Sequence, residues 1–104
     1  ACGYDAGATD PLARMLATTE TFRQMTLRVK NTAEKLCGGR LVLAHEGGYS
    51  EVYAPFCGHA TIEALSGSKK NAPDPLLETL TVRQPNPRFQ AFLRSEIDFL
   101  ANQL

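Results

Sequence analysis

The sequence predicts an α/β fold: the end of a larger parallel sheet, in the order strand, helix, strand, helix, finished by two more helices. Three observations predict it. Leu41-Val42-Leu43-Ala44 is a continuous apolar run, the pattern of a strand buried on both faces of a parallel sheet. A long helical pattern separates it from the apolar start of the chain, and a strand–helix–strand crossover makes a parallel pair with a right-handed connection. Two strands alone do not make a stable parallel sheet with both faces covered. The chain also opens abruptly on Ala1-Cys2-Gly3-Tyr4-Asp5, without an initiator methionine. Residues 1–104 are therefore expected to be a fragment, the end of a larger α/β sheet.

The elements follow in order. Residues 1–5 read as the last residues of a strand, feeding a loop through Asp5, Asp10 and Pro11 to about Thr18. Thr18 or Thr19 caps a helix whose first turn places Glu20 at the positive dipole end. Phe22, Met25, Val29, Ala33 and Leu36 recur at helical spacing, and Gly38-Gly39 ends the helix. After the strand at 41–44 comes the loop His45-Glu46-Gly47-Gly48-Tyr49, with Ser50 as cap of a helix over 50–66. Pro55 must lie near its first turn, Phe56, Ala60 and Ala64 form its stripe, and Gly67 closes it. Residues 67–73 are polar. Asp74-Pro75 then reads as a cap with proline at the first helical position of a short helix carrying Leu76, Leu77 and Leu80. Asn86-Pro87 repeats the device before Phe89, Phe92, Leu93, Ile97, Leu100 and Leu104, the cleanest amphipathic pattern in the chain.

Composition excludes several classes. A chain of 104 residues allows one domain. Eleven Lys and Arg against eleven Asp and Glu give a net charge of zero, which argues against a surface built for nucleic acid or an anionic membrane. No apolar run approaches the ~20 residues of a membrane span, and no basic-then-apolar start suggests a signal peptide. Cys2, Cys37 and Cys57 are odd in number and lack CxxC spacing. A disulfide framework and a structural zinc knot are not expected, and a reducing cytoplasm is the natural home.

Ligands of open parallel sheets bind beyond the carboxyl ends of the strands, which here means Asp5–Asp10 and His45–Tyr49. A carboxylate at Asp5 serves a metal, holds a base or caps a turn, and one carboxylate is not by itself a zinc site. Tyr49 follows Gly47-Gly48. Its phenol is either a hydrogen-bond donor to a developing oxyanion or a turn residue packed on the surface. Glu46 reads as loop-fixing, His45 and His59 as hydrogen-bonded structural residues, and Lys69-Lys70 as a solvated loop. Cys2 and Cys57 read as small buried apolar residues, and Asp10-Pro11 as a turn or cap.

Gly3-Tyr4-Asp5-Ala6 with Asp10-Pro11-Leu12, followed by His45-Glu46-Gly47-Gly48-Tyr49, resembles the last two active-site motifs of the histone deacetylase family, in the manner of its bacterial amidohydrolase members related to class II. Pro11-Leu12-Ala13-Arg14-Met15 and Cys37-Gly38-Gly39-Arg40-Leu41-Val42 share the likeness. The resemblance implies a βαβα end of a three-layer α/β/α, arginase/deacetylase-like domain. It implies zinc-dependent hydrolysis of an N-acetyl-lysine-like amide, with Asp5 a zinc ligand and Tyr49 the catalytic residue that polarises the amide carbonyl. Gly47 and Gly48 would shape the substrate channel. Leu12 stands where polyamine-selective relatives carry an acidic gatekeeper, so an apolar-stemmed acyl-lysine is the expected substrate.

The family also needs an Asp and a His as further zinc ligands and a His-His pair, all preceding these motifs. No histidine precedes residue 45. The expectation is a deacetylase parent, with this chain inactive alone. The alternative is a non-catalytic remnant or assembly module of the same fold. A bare sheet edge recruits copies of the chain, so a homo-oligomer or swapped assembly is expected.

Overall fold

The computed structural model describes residues 1–13, 15–70 and 72–104. Arg14, within the Pro11–Met15 likeness, and Asn71, within the polar 67–73 stretch, lie outside the described residues. Four helices follow in order: α1 (Thr19–Cys37), α2 (Ala54–Ser66), α3 (Leu77–Val82) and α4 (Pro87–Ala101).

α1 starts where its cap dictates. The Thr18 hydroxyl accepts from Thr21 N while the Thr21 hydroxyl accepts from Thr18 N at 3.1 Å, so two of the first-turn donors are satisfied reciprocally. α2 starts later than expected. Ser50 does not cap it; its carbonyl accepts from Tyr53 N and Ala54 N in a preceding turn, and Pro55 falls at the start of the helix. α3 also starts late, at Leu77. Pro75 lies before it, because the Asp74 carboxylate ties off the Leu76 amide at 2.8 Å. Asn86 caps α4 as expected, accepting from Phe89 N at 3.0 Å, but the helix ends at Ala101 and not at the terminus.

The expected sheet is corrected. Among the described residues there are no extended strands. Two isolated parallel bridges stand instead, Cys2 with His45 and Gly7 with Ala17. The parallel direction holds: Cys2 N donates to Ala44 O at 2.8 Å and Tyr4 N to Gly47 O at 3.1 Å. The reason is a lack of neighbours. A parallel ladder is the weaker pairing and is stable where several strands and covering helices surround it. Val42 accordingly is 91% exposed, where the apolar run predicted burial on both faces.

α1 and α2 pack on each other. The Arg23 guanidinium lies 2.6 Å from Glu63 Oε2, and Lys30 Nζ donates to the last carbonyls of α2, Ala64 O at 3.3 Å and Leu65 O at 2.7 Å. A cation there meets the negative end of the helix dipole. The core gathers Tyr4, Phe22, Tyr53, Cys57 and Leu80. The α1 stripe is narrower than the spacing implied: Phe22 and Ala33 are buried, Met25, Val29 and Leu36 are exposed, and Thr19 and Thr26 are buried in their place.

Candidate functional site

Two loops, residues 3–13 and 45–50, meet above the core. Their closest approach is made by glycine. Gly47 has φ +92° and Gly48 φ +114°, conformations that side-chain-bearing residues rarely adopt. A Cβ on Gly47 would lie 2.9 Å from Asp5 Oδ1, and one on Gly48 would lie 2.9 Å from Tyr4 Cβ. A Cβ on Gly3 would collide with the same Asp5 oxygen. Asp5 therefore sits in a cradle whose walls are Gly3 and Gly47, two residues without side chains, and Gly48 lies against Tyr4.

Asp10 ties the two loops together. Its side chain is buried. Oδ1 accepts from Leu12 N at 2.9 Å and Ala13 N at 3.3 Å, and Oδ2 accepts from Tyr49 N at 2.8 Å. Burial by itself would raise its pKa, but the N–H groups of Tyr49, Leu12, Ala13 and Ser50 outweigh that and hold the carboxyl below its usual value. Beside it the hydroxyls of Thr9 and Ser50 are 3.0 Å apart. The side chains of Leu12 and Tyr49 project outward, 67% and 57% exposed.

The layer beneath is closely tied. The Tyr4 ring meets Phe22 edge-on at 5.3 Å between centroids and His45 at 4.7 Å. His45 Nε2 donates to Gly47 O at 2.8 Å, the structural role read for it in the sequence. Tyr53 OH donates to Asp74 Oδ2 at 2.7 Å and accepts from Thr19 N at 3.1 Å. Burial and then the Asp74 carboxylate raise the Tyr53 pKa, so the phenol stays a neutral donor. Burial pushes the Cys57 thiol up to about 12, which fits a packing residue and not a nucleophile.

The structure thus brings Asp5 against Gly47 and Gly48 against Tyr4, and links Leu12 to Tyr49 through Asp10. An open groove of about 720 Å³ runs past Gly48 and Tyr49 along α2, lined also by Leu43, Pro55 and Ile62, but Asp5 and Leu12 do not line it. Among the described residues no group of three His, Cys, Asp or Glu side chains is placed to hold a metal. Sequence reasoning missed the reach of Asp10 and of Asp74. Each was read as a local cap, and each also binds a group far along the chain, Tyr49 N and Tyr53 OH. No local pattern encodes such a partner; the one available signal was an acidic side chain beside a proline in each case.

A family model described as the histone deacetylase domain matches residues 1–65. A histone deacetylase-like amidohydrolase of Pseudomonas aeruginosa is 52% identical over 103 residues, covering 99% of this chain and 27% of that protein. Chloroplastic histone deacetylase 10 of Oryza sativa subsp. japonica is 52% identical over 48 residues, covering 46% of this chain and 11% of that protein. A probable deacetylase of Archaeoglobus fulgidus is 39% identical over 66 residues, covering 62% of this chain and 18% of that protein. The chain spans about a quarter of the length of the Pseudomonas relative. With both motifs inside the matched region and folded against each other, the chain belongs to the histone deacetylase family.

Proposed function

We propose that residues 1–104 form the C-terminal part of the catalytic domain of a zinc-dependent amidohydrolase acting on N-acetyl-lysine-like amides, and that this segment is inactive on its own. The observation that carries the reading is the pairing of the two loops, with the Asp5 carboxylate against Gly47 and the Tyr49 backbone bound to Asp10. The Pseudomonas relative's description as an amidohydrolase supports the same class.

Asp5 fits the part of a metal ligand on one point of geometry. A Cβ on Gly3 or Gly47 would collide with Oδ1, so the two glycines let the carboxylate take its place, and a carboxylate oxygen is among the usual ligands of zinc. The remaining ligands would come from residues outside these 104. When bound, zinc supplies Lewis-acid polarisation of the amide carbonyl and a more acidic water. The work of this chain is then to aim groups. Tyr49 donates its phenolic hydrogen to the carbonyl oxygen as negative charge grows on it. Gly47 and Gly48 form a thin channel wall beside it, and Leu12 offers an apolar contact to the substrate stem. The bridged segments 2–4 and 44–47 become part of a parallel sheet that further strands complete. Apolar side chains left in water on α4 favour assembly with more of the domain or with a second copy. No described helix is long and apolar enough to cross a membrane.

The test is Tyr49→Phe in the full-length protein, with kcat measured on an acetyl-lysine peptide at matched zinc content. The expected loss is about 10²–10³ in kcat, the usual effect of removing one oxyanion donor, with the thermal midpoint unchanged. A kcat within a few-fold of wild type would remove Tyr49 from the catalytic residues.

A further inference from the structure

We infer that Asp10 is a positioning residue that couples rate to substrate selectivity, because its two carboxylate oxygens separately fix the backbones of Tyr49 and Leu12. The inference rests on the amidohydrolase reading of Tyr49 and deepens it.

A carboxylate that only capped a turn would need its local partners, Leu12 N and Ala13 N, both on Oδ1. The second oxygen goes elsewhere, to an amide 39 positions away on the other loop. The group is 4% exposed, so these bonds are not shared with bulk water. An ionised carboxylate is the side chain that suits the place. It is acceptor-only at both oxygens, and its bonds to N–H groups are charge-assisted. An amide at this position turns an NH₂ toward one set of backbone N–H groups and releases it.

The tie matters because little else holds what it holds. The Leu12 and Tyr49 side chains are both exposed, so core packing does not fix them. Tyr49 follows two glycines with positive φ, the most permissive backbone available. The Thr9–Ser50 hydroxyl contact beside Asp10 is a neutral second stitch between the same two loops. Releasing Oδ2 therefore frees the phenol, and releasing Oδ1 frees the Leu12 wall.

The experiment compares wild type, Asp10→Asn and Asp10→Ala in the full-length protein, with and without Tyr49→Phe. Hydrogen exchange is followed in peptides covering 8–13 and 45–52, with a peptide inside α1 as control. Asp10→Ala is expected to speed exchange in both loop peptides and leave α1 unchanged, and Asp10→Asn to speed at least one. On an acetyl-lysine peptide, Asp10→Asn is expected to lower kcat about tenfold or more, since small misplacements of a reacting group are costly. In the Tyr49→Phe background the same change should have less than about a twofold effect, because coupled residues are non-additive. The kcat/KM ratio between an apolar-stemmed and a cationic-stemmed acetamide should also shift.

Unchanged exchange at 45–52 in Asp10→Ala overturns the tie. Faster exchange with a kcat loss that simply adds to that of Tyr49→Phe overturns positioning and leaves a structural role. If Tyr49→Phe is itself fully active, the amidohydrolase role of the phenol falls and the kinetic half of the inference falls with it, while exchange still decides the tie. If Asp10→Ala does not fold, Asp10→Asn carries each measurement.

Discussion

α1 and α4 are alike as sequences and unlike as structures. Each is an amphipathic helix with a side-chain N-cap, Thr18 in one and Asn86 in the other. α1 buries Phe22 and Ala33 against α2 and the loop aromatics; α4 buries nothing, and Phe92 and Ile97 stand 56% and 65% exposed. The difference teaches that an amphipathic stripe records what a helix requires. Whether the requirement is met depends on a partner element, and among the described residues α1 has one. The family match ends at residue 65, whereas the packed core reaches further along the chain, to Asp74 and Leu80.

The widest separation between the halves should come from deleting a ring in each. Phe22→Ala is expected to cost about 3–5 kcal/mol, enough to abolish a cooperative urea transition in so short a chain. Phe92→Ala is expected to stay within about 0.5 kcal/mol. Equal losses in the two variants would break the comparison and show α4 packed in solution.

A smaller contrast lies between two glycines of positive φ. Gly48→Ala strains the backbone and drives a Cβ to 2.9 Å from Tyr4 Cβ, and should cost about 3 kcal/mol. Gly67→Ala, at φ +70° with nothing within 4 Å, carries the backbone cost alone, about 1–2 kcal/mol. Urea midpoints of the two variants read the difference, and an identical cost would mean that the 45–50 loop does not rest on Tyr4.

Acid should act on the packed half. Asp10 is held below its ordinary value of 3.8 by N–H groups that outweigh the opposing effect of burial. Glu63, beside Arg23 and His59, is held below 4.5 in the same way, chiefly by Arg23. A carboxyl with a depressed folded pKa binds fewer protons folded than unfolded as pH falls. Its stabilising contribution is complete above the ordinary carboxylate range and is lost as pH drops through the folded value. Urea midpoints are therefore expected to decline below about pH 4–5, and Asp10→Asn or Glu63→Gln should flatten that decline. An unaltered slope in both variants would place the acid response elsewhere.

Much of the local structure was legible in residue order. Thr18, Gly38, Gly67 and Asn86 each bound a helix as read, because a cap is a relation among neighbours three or four positions apart. Ser50 and Pro75 misled for the opposite reason. Ser50 is engaged by a turn and by Thr9, and Asp74 is drawn to Tyr53 and Thr19, so longer-range partners displaced the helix starts. Asp5, Gly47, Gly48, Tyr49 and Leu12 are candidates that their motifs single out. Asp10, which connects the last two, was passed over as a turn.

The sequence by itself determined the order of the four helices and most of their caps, the apolar identity of 41–44, the parallel direction of the two bridged segments and the two motifs that mark the family. Only the tertiary structure decided which stripes are covered, that the expected strands shrink to single bridges, and that one buried carboxylate holds both loops of the site. The physical reason is range. Caps and periodicities act within a turn or two of the chain, whereas burial and the partner of a buried charge depend on whatever surface arrives from a distance, as the backbone of Tyr49 arrives at Asp10.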